Sequence, residues 1–230
     1  MYVLHIANKN YSSWSLRPWV LMKELGIPFD EVLHRFLPDA HGRSFTTFSP
    51  TGKVPVLVDG DLAVWESLAI AEYLAEQHEG VWPEDPRARA WARAAAAEMH
   101  GGFSTLRNVC GMNCGVRIRL NEVSEALHHD LVRLEELWAD GLSRFGGPFL
   151  AGETFTAADA FFCPVAFRIQ TYNLPMGEKA RAYAFRLLTL DSMLAWYKSA
   201  LREDFRDPPH EIEQAQYGTV IEDHRAPEKV

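Results

Sequence analysis

The chain has 230 residues, 47% of them hydrophobic, and 31 acidic against 23 basic side chains give it a net charge of −8. That is enough apolar material for one large domain or two modest ones with buried cores, which excludes a disordered chain. With no block of basic residues, the acidic balance argues against nucleic acid or an anionic membrane surface as the main partner.

Three cysteines, Cys110, Cys114 and Cys163, form no CxxC pair. Their odd number fits a reducing compartment, so the expected address is cytoplasmic. The opening MYVLHIANKN has no basic n-region and only a short apolar run, and no stretch approaches the roughly 18 apolar residues of a membrane span.

In chain order, YVLHIA (Tyr2 to Ala7) reads as a strand. Val20, Leu21, Met22 and Leu25 have helical spacing in a helix expected from about Arg17 to Leu25, with Gly26 as its stop. A second strand is expected around Glu31 to Arg35, and a weak helix or loop over Ala40 to Phe48. KVPVLVDGDLAVWE reads as a hairpin turning at Asp59-Gly60, and SLAIAEYLAEQH as a helix. The order βαβαββα mixes crossovers with a tight hairpin, which requires a small mixed sheet with helices on its faces. Pro55 opens a strand, and a cis bond after Val54 is one way to fit it there.

After Pro83 and Pro86 strand signals stop, so the domains are drawn at 1–80 and 87–230 around a linker at 81–86. From Trp91 one helix face is expected to carry Ala95, Met99, Gly102, Phe103, Leu106 and Cys110, with Arg93, His100 and Arg107 opposite. Leu127, Leu131, Leu134, Leu137 and Trp138 stripe the next helix. In TFTAADAFFCPVAF, Thr156 and Asp159 form a capping box with Asp in place of Glu, Phe155 can staple that end against Ala160, and Pro164 falls inside the helix. Residues 206–230 read as a loose tail or a strap over the surface.

Metal chemistry finds no motif: His128 and His129 are neighbours on a helix and point about 100° apart, and HExxH, CxxC and P-loop patterns are absent. The first 80 residues have the element order of a thioredoxin-like domain, yet a thiol-disulfide oxidoreductase would need a cysteine in the strand-to-helix loop. That loop holds Ser12, Ser13 and Ser15 instead. Such a site is suited to a thiol that arrives from outside.

SSWSLR is similar, without a gap, to the SSCxWR signature of zeta-class glutathione S-transferases, with Trp14 standing where those enzymes have cysteine. KVPVL resembles the superfamily's cis-proline segment, although Gly52 occupies a position that is often basic or amide-bearing in relatives. ESLAIAEYL and the Thr156/Asp159 box resemble two further superfamily segments in the expected order. The resemblance covers essentially the whole chain. It implies an α/β thioredoxin-like domain followed by an all-α domain, with glutathione as co-substrate, a small-molecule electrophile as second substrate, no metal, and a homodimer.

Glutathione's thiol ionises near pH 8.5, so lowering its pKa by about two units takes roughly 2.7 kcal/mol. A hydroxyl donating to sulfur supplies about 1.5 to 3 kcal/mol. The dipole of the following helix adds about 0.3 to 1 kcal/mol. By the resemblance, Ser12 carries the catalytic hydroxyl, Ser13 is a neighbour that can also reach the sulfur, and Arg17 orients the site. Val54 and Pro55 would pair with the cysteinyl unit, Ser67 would hold the γ-glutamyl carboxylate, and Glu66 its ammonium. Lys53, His41 and Arg43 are candidates for the glycyl carboxylate, and Met99, Phe103, Arg107 and Met112 for the second-substrate pocket. The activity expected is conjugation. The alternatives are cis-trans isomerisation of the maleylacetoacetate type, a glutathione peroxidase, and a non-catalytic ligand-binding protein.

Overall fold

The computed structural model describes residues 1–36 and 45–227. The first domain is built from β1 (Tyr2–Ala7), α1 (Ser13–Glu24), β2 (Phe29–His34), β3 (Val56–Asp59), β4 (Leu62–Trp65) and α2 (Ser67–Gln77). Its sheet has the order β2-β1-β3-β4, with β1 parallel to β2 and antiparallel to β3. This is the mixed sheet that the crossovers and the hairpin require. Asp59 pairs with Leu62, and Gly60 takes the positive φ of 62° that the two-residue turn needs. Leu4 and Ile6 of the central strand are fully buried in one core with Leu16, Val20, Ile70 and Leu74.

Helix α1 starts four residues earlier than its sequence suggests. The amides of Tyr11 and Ser12 both bond to the Asn8 carbonyl, and this turn already puts Ser13 into helical geometry. Pro18 therefore lies inside the helix rather than at its start, and because it has no N–H the Trp14 carbonyl loses its helical partner.

The second domain holds α3 (Pro86–Gly101), α4 (Ser104–Val109), β5 (Val116–Leu120), α5 (Glu125–Phe145), α6 (Ala157–Tyr172), α7 (Glu178–Leu188), α8 (Asp191–Leu201), α9 (Pro208–Tyr217) and β6 (Gly218–Asp223). The helices are joined by a two-stranded antiparallel sheet of β5 and β6, an addition to the all-helical expectation. VRIRL alternates as a strand should, but its partner lies about 100 residues downstream in the segment read as a tail. That segment is a strap.

The stripe drawn from Trp91 to Cys110 is also interrupted. Gly101 and Gly102 end α3, Phe103 turns left-handed at φ 52°, and α4 sets off in a new direction. A Cβ on Gly102 would sit 2.6 Å from the Glu98 carbonyl oxygen, so the close approach at this break depends on glycine.

Helix α6 is buried on every face except at Gln170, as expected of a helix apolar all round. It packs on α1, α3, α7 and β5 and so joins the domains. Its polar residues need internal partners. Asp159 accepts the amides of Leu150 and Thr156 and the hydroxyls of Thr156 and Tyr183, so the carboxylate side of the capping box is in place. Phe155 packs edge-on against Phe149. The three thiols are buried, and burial raises the pKa of each.

Candidate active site

A cavity of about 700 Å³ lies between the domains. Its floor is the start of α1, with Tyr11, Ser12, Ser13 and Trp14, and Lys53 and Val54 form another wall. Arg107 and Met112 come from the α4 region, Arg168 from α6, and His210, Gln214 and Tyr217 from the strap. A second cavity of about 390 Å³ adjoins it, sharing Trp14, Lys53, Val54 and Arg107 and adding Thr51, Pro55, Glu66 and His100.

The serines have separate roles. The Ser12 hydroxyl donates to Ser15 Oγ at 2.7 Å, and Ser15 Oγ accepts the Ala7 amide at 3.2 Å. Ser15 therefore ties α1 to the end of β1. Ser13 Oγ accepts from Arg168 Nη2 at 3.4 Å, which engages the oxygen and leaves the hydroxyl proton for another acceptor. Ser12, at the N-cap of α1, makes no side-chain cap.

The Val54-Pro55 peptide is cis. Glu66 precedes α2 with a positive φ of 69° and faces the second cavity, its carboxylate 3.8 Å from His100 Nε2. Ser67 is buried and lines neither cavity; its hydroxyl accepts from Arg17 Nη1 at 3.4 Å. Met99 and Phe103 are buried and also line neither cavity. The break at Gly102 leaves Met99 in the core, whereas Arg107 and Met112 face the opening. His41 and Arg43 lie outside the described residues.

Three guanidiniums converge here. Arg17 stacks 4.2 Å from the Trp14 ring, and Arg107 lies 4.8 Å from the same ring. Among the described residues their hydrogen bonds run to neutral oxygens: Arg107 to the His100 and Gly102 carbonyls, Arg168 to the Cys110 carbonyl and Ser13. Burial lowers the Arg17 pKa well below its usual value, and Arg168 and Arg107 push it the same way. Burial also brings Arg168 down to about 10, still protonated at neutral pH. In a chain of net charge −8, this cluster creates a local cationic site.

Sequence reasoning missed Arg168, Tyr11 and the strap residues. Arg168 had a signal, as a lone cation in the apolar run CPVAFRI. The strap residues had none at short range.

Residues 11–77 match the family model of the glutathione S-transferase N-terminal domain. The chain is 32% identical to glutathione S-transferase F14 of Arabidopsis thaliana over 162 residues, covering 65% of this chain and 63% of that protein's length. It is 27% identical to a probable maleylacetoacetate isomerase of Caenorhabditis elegans, covering 76% and 81% of the two chains. A Burkholderia glutathione transferase homolog, solved with bound glutathione, superposes with a TM-score of 0.64 at 22% identity, covering 86% of this chain and 97% of that one. Among the described residues no helix is long and apolar enough to cross a membrane. The fold is that of the glutathione transferases, and residues 11–77 match the N-terminal domain of that family.

Proposed function

We propose that the chain is a glutathione transferase that holds the glutathione thiolate with a serine hydroxyl and adds it to a small electrophile. The observation that carries this reading is the meeting of Ser12 and Ser13, at the start of a twelve-residue helix, with Val54 across the same cavity and Glu66 in the adjoining one. In this reading Glu66 takes the γ-glutamyl ammonium, Val54 and Pro55 the cysteinyl backbone, and Lys53 the glycyl carboxylate. Ser67 supports Arg17 from behind. The larger cavity, with Arg107 and Met112, takes the electrophile.

The thiol releases its proton to solvent, the thiolate forms a C–S bond with the electrophilic carbon, and a leaving group departs with its electron pair. Ser13 is assigned as the donor to sulfur, because its proton is uncommitted whereas that of Ser12 is directed at Ser15. A homodimer in the cytoplasm completes the proposal.

The test is conjugation of chlorodinitrobenzene by wild type, Ser13→Ala and Ser12→Ala, with glutathione affinity measured in parallel. Losing a charge-assisted bond worth about 1.5 to 3 kcal/mol lowers turnover on the order of 10- to 100-fold in Ser13→Ala. Serine-independent turnover, or glutathione binding without turnover in wild type, would refute it in favour of another mechanism or a ligand-binding protein.

A further inference from the structure

We infer that Arg168 is the positioning residue that makes the Ser13 hydroxyl an effective thiolate donor, its guanidinium holding the serine oxygen and placing a positive charge behind it. This inference rests on the transferase reading and extends it to a residue of the second domain. Four observations carry it. Arg168 is only 4% exposed yet lines the larger cavity. Its Nε donates to the Cys110 carbonyl at 2.8 Å, which fixes the plane of the guanidinium. Its Nη2 reaches Ser13 Oγ, and its Nη1 is buried without a partner among the described residues.

A buried guanidinium bonded only to neutral oxygens is a costly arrangement unless an anion completes it. The anion that the transferase reading brings to Ser13 is the glutathione sulfur. An oxygen that accepts from a cation is polarised, so its own proton is donated more strongly to a thiolate. The charge also acts through space: an opposite charge within about 4 to 6 Å lowers a pKa by about one to three units.

Among the described residues Arg168 is the charged group that bonds the Ser13 oxygen, and this distinguishes it from its neighbours. Cys110, Cys114 and Tyr172 around Arg168 are held neutral by burial. Arg17 from α1 and Arg107 from α4 add positive charge nearby but bond other oxygens, Arg17 that of Ser67 and Arg107 two backbone carbonyls. His100 and Glu66 belong to the second cavity, Lys53 lies at the junction of the two, and His210 and Glu213 of the strap line the outer wall of the larger one.

The experiment is the ultraviolet titration of the thiol of bound glutathione in wild type, Arg168→Met, Arg168→Gln and Arg168→Lys. Gln preserves a donor to the Cys110 carbonyl and so guards against a folding failure of the Met variant. The expected result is a bound-thiol pKa raised by at least about one unit in both neutral variants and largely restored in Lys, with glutathione affinity changed less than threefold for the protonated form. A neutral variant that binds glutathione and ionises it as wild type does would overturn the inference. Failure of the transferase reading is distinguishable, because wild type itself would then leave the thiol titrating as in free solution.

Discussion

The guanidinium of Arg17 lies 4.2 Å from the indole ring of Trp14 while its Nη1 donates to Ser67 Oγ, so one buried side chain connects the first turn of α1 to the first turn of α2. The start of α1, which faces the larger cavity, and the start of α2, which follows Glu66 of the second cavity, are thereby fixed relative to each other. On its other side Arg17 lies 4.8 Å from Phe161 of α6, which extends the link into the second domain.

Arg17→Ala is expected to cost about 2 to 3 kcal/mol, because it removes a cation–π contact and leaves both an unfilled space and a buried hydroxyl without its donor. Thermal denaturation should show a Tm lower by about 4 to 10 °C. Arg17→Lys keeps the charge but not the flat, delocalised group that stacks on indole, so it should recover less than half of the loss. Full recovery by lysine would show that charge alone matters here.

The parts legible in sequence were those whose signals are local. The hairpin turn at Gly60, the α2 pattern and the Leu127-to-Trp138 stripe of α5 all fall where their periodicity puts them. The start of α1 was not legible, since the bond from the Ser12 amide to the Asn8 carbonyl outweighs the usual preference of proline for a helix start. The pocket residues divided for a similar reason. Met99 and Arg107 looked like opposite faces of one continuous helix, and the break after Gly101 sends only Arg107 toward the cavity. Arg168 was visible as an oddity, but its partners Ser13 and Cys110 are 155 and 58 residues away, and no local pattern encodes such pairings.

Asp159→Asn should destabilise the chain by about 3 kcal/mol in urea titration. The native carboxylate accepts from four donors, whereas an amide oxygen has two lone pairs and its NH₂ would face donors. Each orphaned donor costs about 1 to 3 kcal/mol. Tyr183→Phe removes one donor and keeps the carboxylate, so its cost should be near 1 kcal/mol. Equal costs for the two variants would contradict a network centred on Asp159.

Besides the β5–β6 pairing, a charged cluster ties the strap to Tyr11 at the larger cavity. Tyr11 donates to Glu211 Oε1 at 2.5 Å, Arg225 Nη1 donates to the same oxygen, and Arg225 Nη2 bonds Asp223 at 2.7 Å. With the Arg225 side chain 4% exposed and that of Glu211 30% exposed, Arg225→Ala leaves a half-buried carboxylate with only the neutral donors Tyr11 and Asn113. Its local cost is about 1 to 2 kcal/mol after allowance for solvent screening. Hydrogen exchange of the β5 and β6 amides should therefore quicken on the order of tenfold while α5 amides stay protected. Uniform quickening across the chain would mean that the cluster stabilises the whole fold rather than the strap.

The same cluster gives the strap an acid limit. Burial pushes the Glu211 carboxyl up, but hydrogen bonds from Arg225 and Tyr11 outweigh it and leave the pKa below its ordinary 4.5. Asp223 is held below its ordinary 3.8, first by its hydrogen bond from Arg225. Carboxyls with depressed folded-state pKa values contribute stability that is complete above their unfolded values and is lost as pH falls through the folded ones. Strap protection should thus be level above about pH 5 and decline from about pH 4.5 downward. Arg225→Ala should show a much shallower decline over the same range, because the partner that lowers both carboxyls is gone. The check is limited proteolysis or exchange at β6 from pH 6 to 3, and a wild-type profile that stays flat across that whole range would remove the electrostatic account of the strap.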